Sequence, residues 1–432
     1  MTATDNLTRT RRTIDAVWRM ESAKIVAVLA RMLSGDIGLA EELAQDALVT
    51  ALEQWPDKGI PDNPGAWLMA AAKNRAIDRL RHGKLTEEKH AEIARELDEQ
   101  QETRADDLLA ALDDDIGDDL LRLMFTACHP VLSPEARVAL TLRLLGGLTT
   151  EEIARAFLVP EPTIAQRIVR AKRTLSEANV AFELPRGEDR TARLASVLDV
   201  IYLVFNEGYA ATAGEDWMRP ALCEEALRLG RVLAELAPFD AEAHGLVALM
   251  EIQASRLHAR THRDGTPILL LEQNRAHWDW LLVERGLKAL ARAEKLGGDR
   301  GSYQLQAAIA ACHARARVAA DTDWVRIATL YAELAQAAPS PIVELNGAVA
   351  IAMAFGPAVG LDLVDRLVEE PALRTYHFLP AVRGNLLEKL GRFDEARAEF
   401  ERAATLTRNA REQSLMRARA ERCGALATHA VQ

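Results

Sequence analysis

The segment from Asp62 to His82 constrains the chain most, because it predicts one helix with two chemically different sides. Asn63 can cap this helix and Pro64 suits its first turn. At about 100° per residue, apolar side chains gather on one side, at Met69, Ala72, Ala76, Ile77 and Leu80. An aromatic ring, an amide and charges share the other side, at Trp67, Asn74, Arg75, Asp78, Arg81 and His82. Such a face favours contact with phosphates and bases, and the alternative is an ordinary solvated helix face.

Composition predicts an all-α protein. Ala, Leu, Arg and Glu dominate the chain, and its 432 residues exceed what one core usually supports, so we expect two or three domains. The N-terminus lacks an apolar signal segment and no apolar run approaches membrane-spanning length, which predicts a cytoplasmic protein without a membrane partner. The four cysteines are far apart, so we expect no disulfide framework, no metal site and no cofactor.

Charge is strongly segregated along the chain, although the net charge is −11. Cations dominate residues 73–84, whereas acidic side chains dominate residues 85–119. Such an acidic run between two patterned segments predicts a solvated linker. We therefore expect a first domain over residues 1–84, a linker over 85–119, a second domain over 120–183 and a helical C-terminal domain over 184–432.

The second domain has the punctuation of a helix-turn-helix. Ser133 and Pro134 open a helix, and Gly146 and Gly147 follow its end. Thr149 and Glu152 form a capping box for a short second helix, and residues 159–162 predict a tight turn. A third, basic helix then places four apolar side chains inward, at Ile164, Ile168, Ala171 and Leu175.

This third helix has the charge and position of a recognition helix in a major groove. No acidic residue occurs between Thr163 and Arg173. Thr163 and Gln166, near its N-terminal end, are the expected base-edge readers. The expected phosphate contacts are Arg167, Arg170, Lys172 and Arg173. The alternative is a helical hairpin that packs and binds nothing.

The order of these parts resembles bacterial sigma factors of the extracytoplasmic-function (ECF) class. Residues 41–48, Trp55-Pro56, residues 66–68 and residues 74–81 resemble region 2 of these factors. Residues 132–137, 150–154 and 162–172 resemble region 4. The resemblance covers roughly the first 180 residues and implies a factor that brings RNA polymerase core to promoter DNA.

The resemblance also implies roles for particular residues. Polymerase binding, through the beta-prime clamp helices, would fall to Leu43, Asp46, Ala47 and Leu48. Contact with the promoter −10 element would fall to Asn74, Arg75, Asp78, Arg79 and Arg81. The segment from Thr163 to Arg173 would read the −35 element, and the beta flap is the second polymerase partner implied. Ala165 departs from the basic or polar residue common in the family. We expect Trp67 to brace the helices of its domain.

The C-terminal domain resembles tetratricopeptide repeats. The pattern is clear over residues 386–403, around Gly391 and Phe393, and looser over residues 234–244 and 332–345. Stacked helix pairs of this kind often bind peptides or proteins. ECF factors with a fused helical-repeat extension form a known subgroup, in which the extension is thought to regulate polymerase use.

Two other features of this domain predict structure rather than chemistry. Asn206 and Glu207 are expected to form a polar junction with Arg or His of a neighbouring helix. His258 and His262 have the spacing of a metal pair on a helix, but the surrounding arginines disfavour zinc. No catalytic motif appears, so we expect no enzyme activity.

Taken together, the sequence predicts a cytoplasmic sigma factor that binds polymerase core and promoter DNA, with a C-terminal helical-repeat domain that regulates it. The runner-up is a stand-alone helix-turn-helix regulator whose repeats bind a peptide or protein. A scaffold protein with no DNA role would leave both basic helices unexplained.

Overall fold

The computed structural model describes residues 3–90 and 116–430, and these residues are almost entirely helical, which confirms the all-α prediction. The chain divides into two compact units between Val200 and Ile201. Within the described ranges, no helix is both long and apolar enough to cross a membrane.

Helices account for nearly all of the described residues of the N-terminal unit. They are α1 (Ala3–Met32), α2 (Ile37–Lys58), α3 (Pro64–His90), α4 (Ile116–Ala127), α5 (Pro134–Leu144), α6 (Thr150–Phe157), α7 (Glu161–Glu177) and α8 (Gly187–Tyr209), the last of which continues into the C-terminal unit.

Local side-chain caps set several of these helix starts, as the sequence predicts. The Asn63 Oδ1 accepts a hydrogen bond from the Ala66 N–H at 3.1 Å. The Ser133 hydroxyl accepts one from the Ala136 N–H at 3.3 Å before α5. Thr149 and Glu152 form the complete capping box of α6. Each cap satisfies an N–H that lacks a partner inside its helix.

The buried side of α3 differs from the predicted one. Leu68, Ala72 and Ala76 are buried, together with the polar Lys73. Met69 and Ile77 are only half-buried, and Leu80 is 42% exposed. The packing of α3 on both α1 and α2 explains the difference, because a helix in a corner between two others is covered over a rotated arc.

Helix extends into both ends of the predicted acidic linker. At one end α3 runs to His90, and at the other α4 begins at Ile116. Asp119, the last residue assigned to the linker, is fully buried and bound by Arg31 and Arg122. The intervening residues 91–115 lie outside the described residues, and so does the side chain of His82.

Helical hairpins also make up the C-terminal unit. Its helices are α9 (Pro220–Leu236), α10 (Ala241–Ala254), α11 (Trp280–Leu296), α12 (Ser302–Arg315), α13 (Trp324–Ala337), α14 (Pro341–Phe355), α15 (Pro357–Arg366), α16 (Phe378–Lys389), α17 (Phe393–Leu406) and α18 (Ala410–Ala430). Two short strands, β1 (Ala213–Gly214) and β2 (Arg408–Asn409), pair in parallel.

The segment with the clearest repeat pattern forms the hairpin α16–α17, which packs against α18. Phe400 is fully buried at its centre, and Gly384 faces it from α16. A methyl group at Gly384 would lie only 3.0–3.2 Å from the Phe400 ring. The small residue therefore lets the aromatic ring fill the space between the two helices, as a packed helix pair requires.

Pairing of β1 with β2 joins the first part of the C-terminal unit to its last helix. The buried Asn409 side chain donates hydrogen bonds to the carbonyl oxygens of Ala211 at 3.1 Å and Asp216 at 2.9 Å. Its Oδ1 accepts from the Arg411 N–H at 3.0 Å, at the start of α18. The Asn409 side chain thus satisfies backbone groups in two distant segments of the chain. Asn409 and Ala211 are 198 residues apart in the sequence.

Two local predictions change in the structure. His258 and His262 do not share a helix, because α10 ends at Ala254 and His258 lies in a short 3-10 turn. Both histidines are exposed, and the described residues contain no cluster suited to a metal ion. Glu207 does form an ion pair, but with Arg219, the residue just before α9, rather than with a neighbouring helix.

Replacing Phe400 with alanine should destabilise the C-terminal unit by about 3–5 kcal/mol, because a fully buried ring leaves a cavity that its neighbours fill only partly. Urea unfolding followed by circular dichroism measures this loss. Phe239→Ala is the matched control, since Phe239 is 86% exposed and should change stability little. Similar losses in both variants would contradict the packing role of Phe400.

Candidate nucleic-acid interface

The solvent-exposed side of α3 carries most of the polar residues predicted to contact DNA. Asn74, Asp78, Arg79 and Arg81 are exposed. Arg75 is half-buried, and its guanidinium donates to the Ala71 carbonyl at 3.3 Å and to the Thr50 hydroxyl on α2. Four of the five predicted side chains therefore face solvent, and Arg75 also holds α3 against α2.

Trp67 packs within this domain, as predicted. Its ring meets the ring of buried Trp55 edge to face, with centroids 5.4 Å apart and planes at 72°. Edge-to-face pairs of this kind contribute about 0.5–1.5 kcal/mol beyond burial alone. Trp67 thus braces α3 against α2.

The helix-turn-helix forms from α6 and α7. Leu158 ends α6 in the left-handed conformation, with φ of 52°, and the chain turns at Pro160 into α7. The turn is two residues shorter than predicted, because Glu161 and Pro162 already belong to α7. The four inward positions are confirmed, since all are buried: Ile164, Ile168, Ala171 and Leu175.

The outward face of α7 is polar, basic and partly apolar. Thr163, Gln166, Arg170 and Arg173 are exposed, whereas Arg167 is half-buried. Val169 lies among them and is 65% exposed, which the sequence pattern did not single out. The sequence could have indicated this exposure, because Val169 lies three residues after Gln166 and is not in phase with the four inward positions. An exposed apolar side chain at this place can meet the methyl group of a thymine.

Lys172 differs from the other predicted phosphate contacts, because its ammonium is bound to a buried carboxylate on another helix, that of Glu41 on α2. Arg173 also pairs with a carboxylate, but with the exposed Glu177 of its own helix. The same carboxylate accepts a hydrogen bond from Arg143 Nε at 2.6 Å, at the end of α5. Only 8% of the Glu41 side chain is exposed. Burial alone raises the pKa of Glu41, but Lys172 and Arg143 outweigh it and hold the pKa below its ordinary value of 4.5.

Other contacts join the two halves of the N-terminal unit. Arg31 on α1 donates to the buried Asp119 carboxylate on α4 at 2.8 Å. Arg19 on α1 pairs with Glu152, the capping residue of α6. Gly147, with φ of 65°, lies so close to α1 that a Cβ would meet the Ser22 hydroxyl at 2.8 Å. In this arrangement, α1 and α2 hold the helix-turn-helix at a fixed place.

The predicted polymerase-binding residues on α2 divide between its two sides. Leu43 and Ala47 are buried in the domain core, with Ala47 fully covered. Asp46 is exposed and Leu48 is half-buried. The exposed side also carries Val49 and Leu52, at 50% and 39% exposure, which the sequence pattern did not single out. An acidic residue beside exposed apolar side chains is suited to docking on another protein.

Glu41→Gln should lower the free energy of unfolding of the N-terminal unit by about 2–4 kcal/mol at neutral pH, because two cations lose their buried partner. The pKa of Glu41 is lower in the folded protein than in the unfolded chain. The stabilisation by its charge is therefore complete above the unfolded pKa, and it is lost as the pH falls through the folded pKa. The difference between the two proteins should therefore narrow below about pH 4.5.

Urea unfolding at a series of pH values measures this narrowing. Glu42→Gln is the control, since Glu42 is the exposed neighbour and should show no such pH-dependent difference. A difference between Glu41→Gln and the native protein that stays constant down to pH 3 would show that Glu41 is not the charged partner.

Comparison with known proteins places these elements in families. The Sigma-70 region 2 model matches residues 18–86, which include α2 and most of α3. The Sigma-70, region 4 model matches residues 122–175, which include the helix-turn-helix. A family of unknown function (DUF6596) matches residues 193–294.

Two relatives extend this comparison. An uncharacterized protein from Rhizobium meliloti is 42% identical over 385 residues, which cover 88% of this chain and 89% of the relative. A Mycobacterium tuberculosis protein named Probable ECF RNA polymerase sigma factor SigI is 28% identical over 204 residues, covering 46% of this chain and 68% of that protein. The chain belongs to the sigma-70 factors of the extracytoplasmic-function class and carries a C-terminal helical extension.

Proposed function

We propose that this sigma factor directs RNA polymerase core to its promoters by gripping the duplex at two sites, one through α3 and one through α7. The observation that carries the proposal is the pair of separate exposed faces, each in the range of a different sigma region model. Each face presents cations and amides to solvent, and such groups suit phosphates and base edges.

The first face contacts the −10 element. Asn74, Arg79 and Arg81 are exposed along α3 and supply the amide and cations for this contact, and Asp78 accompanies them. Arg75 contributes from the edge of the face, since its guanidinium is already bound to Thr50 and Ala71. Its main effect is to fix the position of α3 relative to α2.

The second face reads the −35 element. Thr163 and Gln166 lie at the N-terminal end of α7, where a recognition helix meets base edges. Val169 adds an apolar contact, which favours a thymine at the facing position. Arg167, Arg170 and Arg173 bind the flanking phosphates.

Lys172 joins the phosphate contacts only when it leaves Glu41. While the two are paired, the ammonium is bound to a carboxylate that is almost completely buried. We therefore propose that promoter binding exchanges this carboxylate for a DNA phosphate, and that α2 and α7 separate as the exchange occurs. Since the pair joins the two DNA-binding halves, it links their spacing to promoter occupancy.

The exposed side of α2 is the proposed docking surface for polymerase. Asp46, Leu48, Val49 and Leu52 supply one carboxylate and three apolar side chains to the beta-prime clamp helices. Leu43 and Ala47 act indirectly, because they anchor α2 in its own domain. The beta flap is the proposed partner of the helix-turn-helix domain.

The C-terminal unit is proposed to control this activity in the cytoplasm, with a protein or peptide as its partner. Its stacked hairpins resemble arrays that bind such partners. A stand-alone DNA-binding regulator is the competing function. Run-off transcription with purified polymerase core separates the two, because only a sigma factor requires core for promoter-specific initiation.

Replacing both Arg170 and Arg173 with alanine should weaken promoter binding by the holoenzyme and reduce its salt dependence. The slope of log K against log salt should fall by about 2, because each lost phosphate contact removes roughly 0.9. Fluorescence anisotropy on a promoter duplex over a salt series measures the slope. Arg155→Ala is the control, since Arg155 is an exposed arginine of α6 paired with Glu151. An unchanged slope in the double variant would show that α7 does not face DNA.

Removing residues 201–432 should change the run-off yield by about fivefold or more if the C-terminal unit is coupled to promoter use. The cut belongs after Val200, because Ser196 donates to the Cys128 carbonyl at 2.6 Å within the N-terminal unit. A chain cut after Pro185 would lose this contact and is the control for damage to the N-terminal unit. Native yield from residues 1–200 would contradict a regulatory role.

A further inference from the structure

Aromatic rings and arginines alternate through the first part of the C-terminal unit. We call this set of six side chains the arginine ladder, and in spatial order they are Trp217, Arg260, Tyr209, Arg256, Trp278 and Arg275. The successive distances from guanidinium carbon to ring centroid are 4.3, 3.5, 5.7, 5.8 and 5.2 Å. All six positions lie within residues 193–294, the range matched by the family of unknown function.

The three arginines of the ladder are almost completely buried. Arg256 is 7% exposed, Arg260 is 6% exposed and Arg275 is 4% exposed. Burying a charged guanidinium costs several kcal/mol unless an acceptor or counter-charge replaces water. A cation–π contact returns only about 0.5–2 kcal/mol, so aromatic rings alone do not compensate three buried cations.

The two outer arginines have other partners. Arg275 donates to the carbonyl oxygens of His313 at 2.7 Å and Ala316 at 2.6 Å, and to the Thr322 hydroxyl at 3.1 Å. Arg275 therefore caps the C-terminal end of α12.

Arg260 donates to the Tyr209 carbonyl and lies in the field of Glu412. Glu412 is itself fixed, because its carboxylate accepts from the Thr407 hydroxyl at 2.8 Å and from Trp217 Nε1 at 3.4 Å. Helix α18, which begins one residue after Asn409, thus supplies the counter-charge for this end of the ladder.

Arg256, at the centre, lacks such compensation. Among the described residues, its guanidinium forms no hydrogen bond and no ion pair, and its buried Nε has no acceptor. Two other buried polar atoms beside it also lack partners, namely Trp278 Nε1 and His313 Nδ1. Burial and the charges of Arg256 and Arg275 lower the pKa of His313 to about 3, so its ring is neutral at neutral pH.

We propose that the Arg256 guanidinium, between Tyr209 and Trp278, is the binding site for a small oxyanion, the phosphate or carboxylate group of a metabolite. A planar guanidinium binds both groups through two parallel N–H donors. The anion supplies the negative charge that the ladder lacks, and the flanking rings exclude water from the pair. This site is independent of the promoter-binding function, because it rests on the C-terminal unit alone.

Thermal unfolding of the full chain tests the site. The protein is heated in a zwitterionic buffer with increasing sodium phosphate or sodium succinate, with sodium chloride added to keep the ionic strength constant. We expect a saturable rise in Tm of about 2–4 °C or more with at least one of the two anions, because a ligand that binds only the folded state stabilises it. A rise with phosphate only, or with succinate only, identifies the group that binds.

Two variants make the test specific. Arg256→Met should abolish the anion-dependent rise while leaving Tm without anion unchanged or higher, because an apolar side chain replaces an uncompensated buried cation. Arg263→Gln is the control, since Arg263 is exposed nearby and should keep the full rise.

If Arg256→Met does not fold, titration calorimetry of the native chain with phosphate and with succinate measures directly whether either anion binds. No saturable response of the native chain to either anion would overturn the proposal. An equal response in Arg256→Met and the native chain would overturn it as well.

Discussion

The buried Glu41 carboxylate is the contact on which the N-terminal unit depends. It belongs to α2, in the first DNA-binding half, but its two cations come from α5 and α7, in the second half. A charged carboxylate in a core is tolerated only when its partners remain in place, so the pair fixes α7 against α2. The same carboxylate binds the Lys172 ammonium, so one interaction determines both the stability of the unit and whether Lys172 is free for its proposed phosphate contact.

The C-terminal unit presents the opposite electrostatic situation. There, the Asn409 side chain donates to the Ala211 carbonyl and the Glu412 carboxylate accepts from the Thr407 hydroxyl, where the first and last parts of the unit meet. Arg275 donates to a backbone carbonyl at the end of α12. Arg256 lies between these two ends with aromatic neighbours, and its buried Nε has no acceptor among the described residues. The proposed anion site rests on this buried guanidinium, which has two aromatic neighbours and no negative charge paired with it.

Much of the local structure could be predicted from the sequence. The caps at Asn63, Ser133 and Thr149 form as expected, because a cap depends on residues only three positions apart. The inward positions of α7 are also correct, since this helix packs along one side only. The predicted buried side of α3 was partly wrong: Leu80 is exposed and Lys73 is buried, because two neighbouring helices cover a different arc of α3. The pairing of His258 and His262 on one helix was wrong, because α10 ends at Ala254, before either histidine.

By itself, the sequence determined the helical class, the order of the two DNA-binding parts, and which residues carry charge on α3 and α7. Helical periodicity and capping are local, so they can be recognised without knowing the neighbours. Only the tertiary structure decided which of those residues are available. It buried Leu43 and Ala47, bound Lys172 to Glu41, and brought Arg256 between two rings. Each of these outcomes depends on residues far away in the chain, and a pattern with a period of a few residues contains no information about such partners.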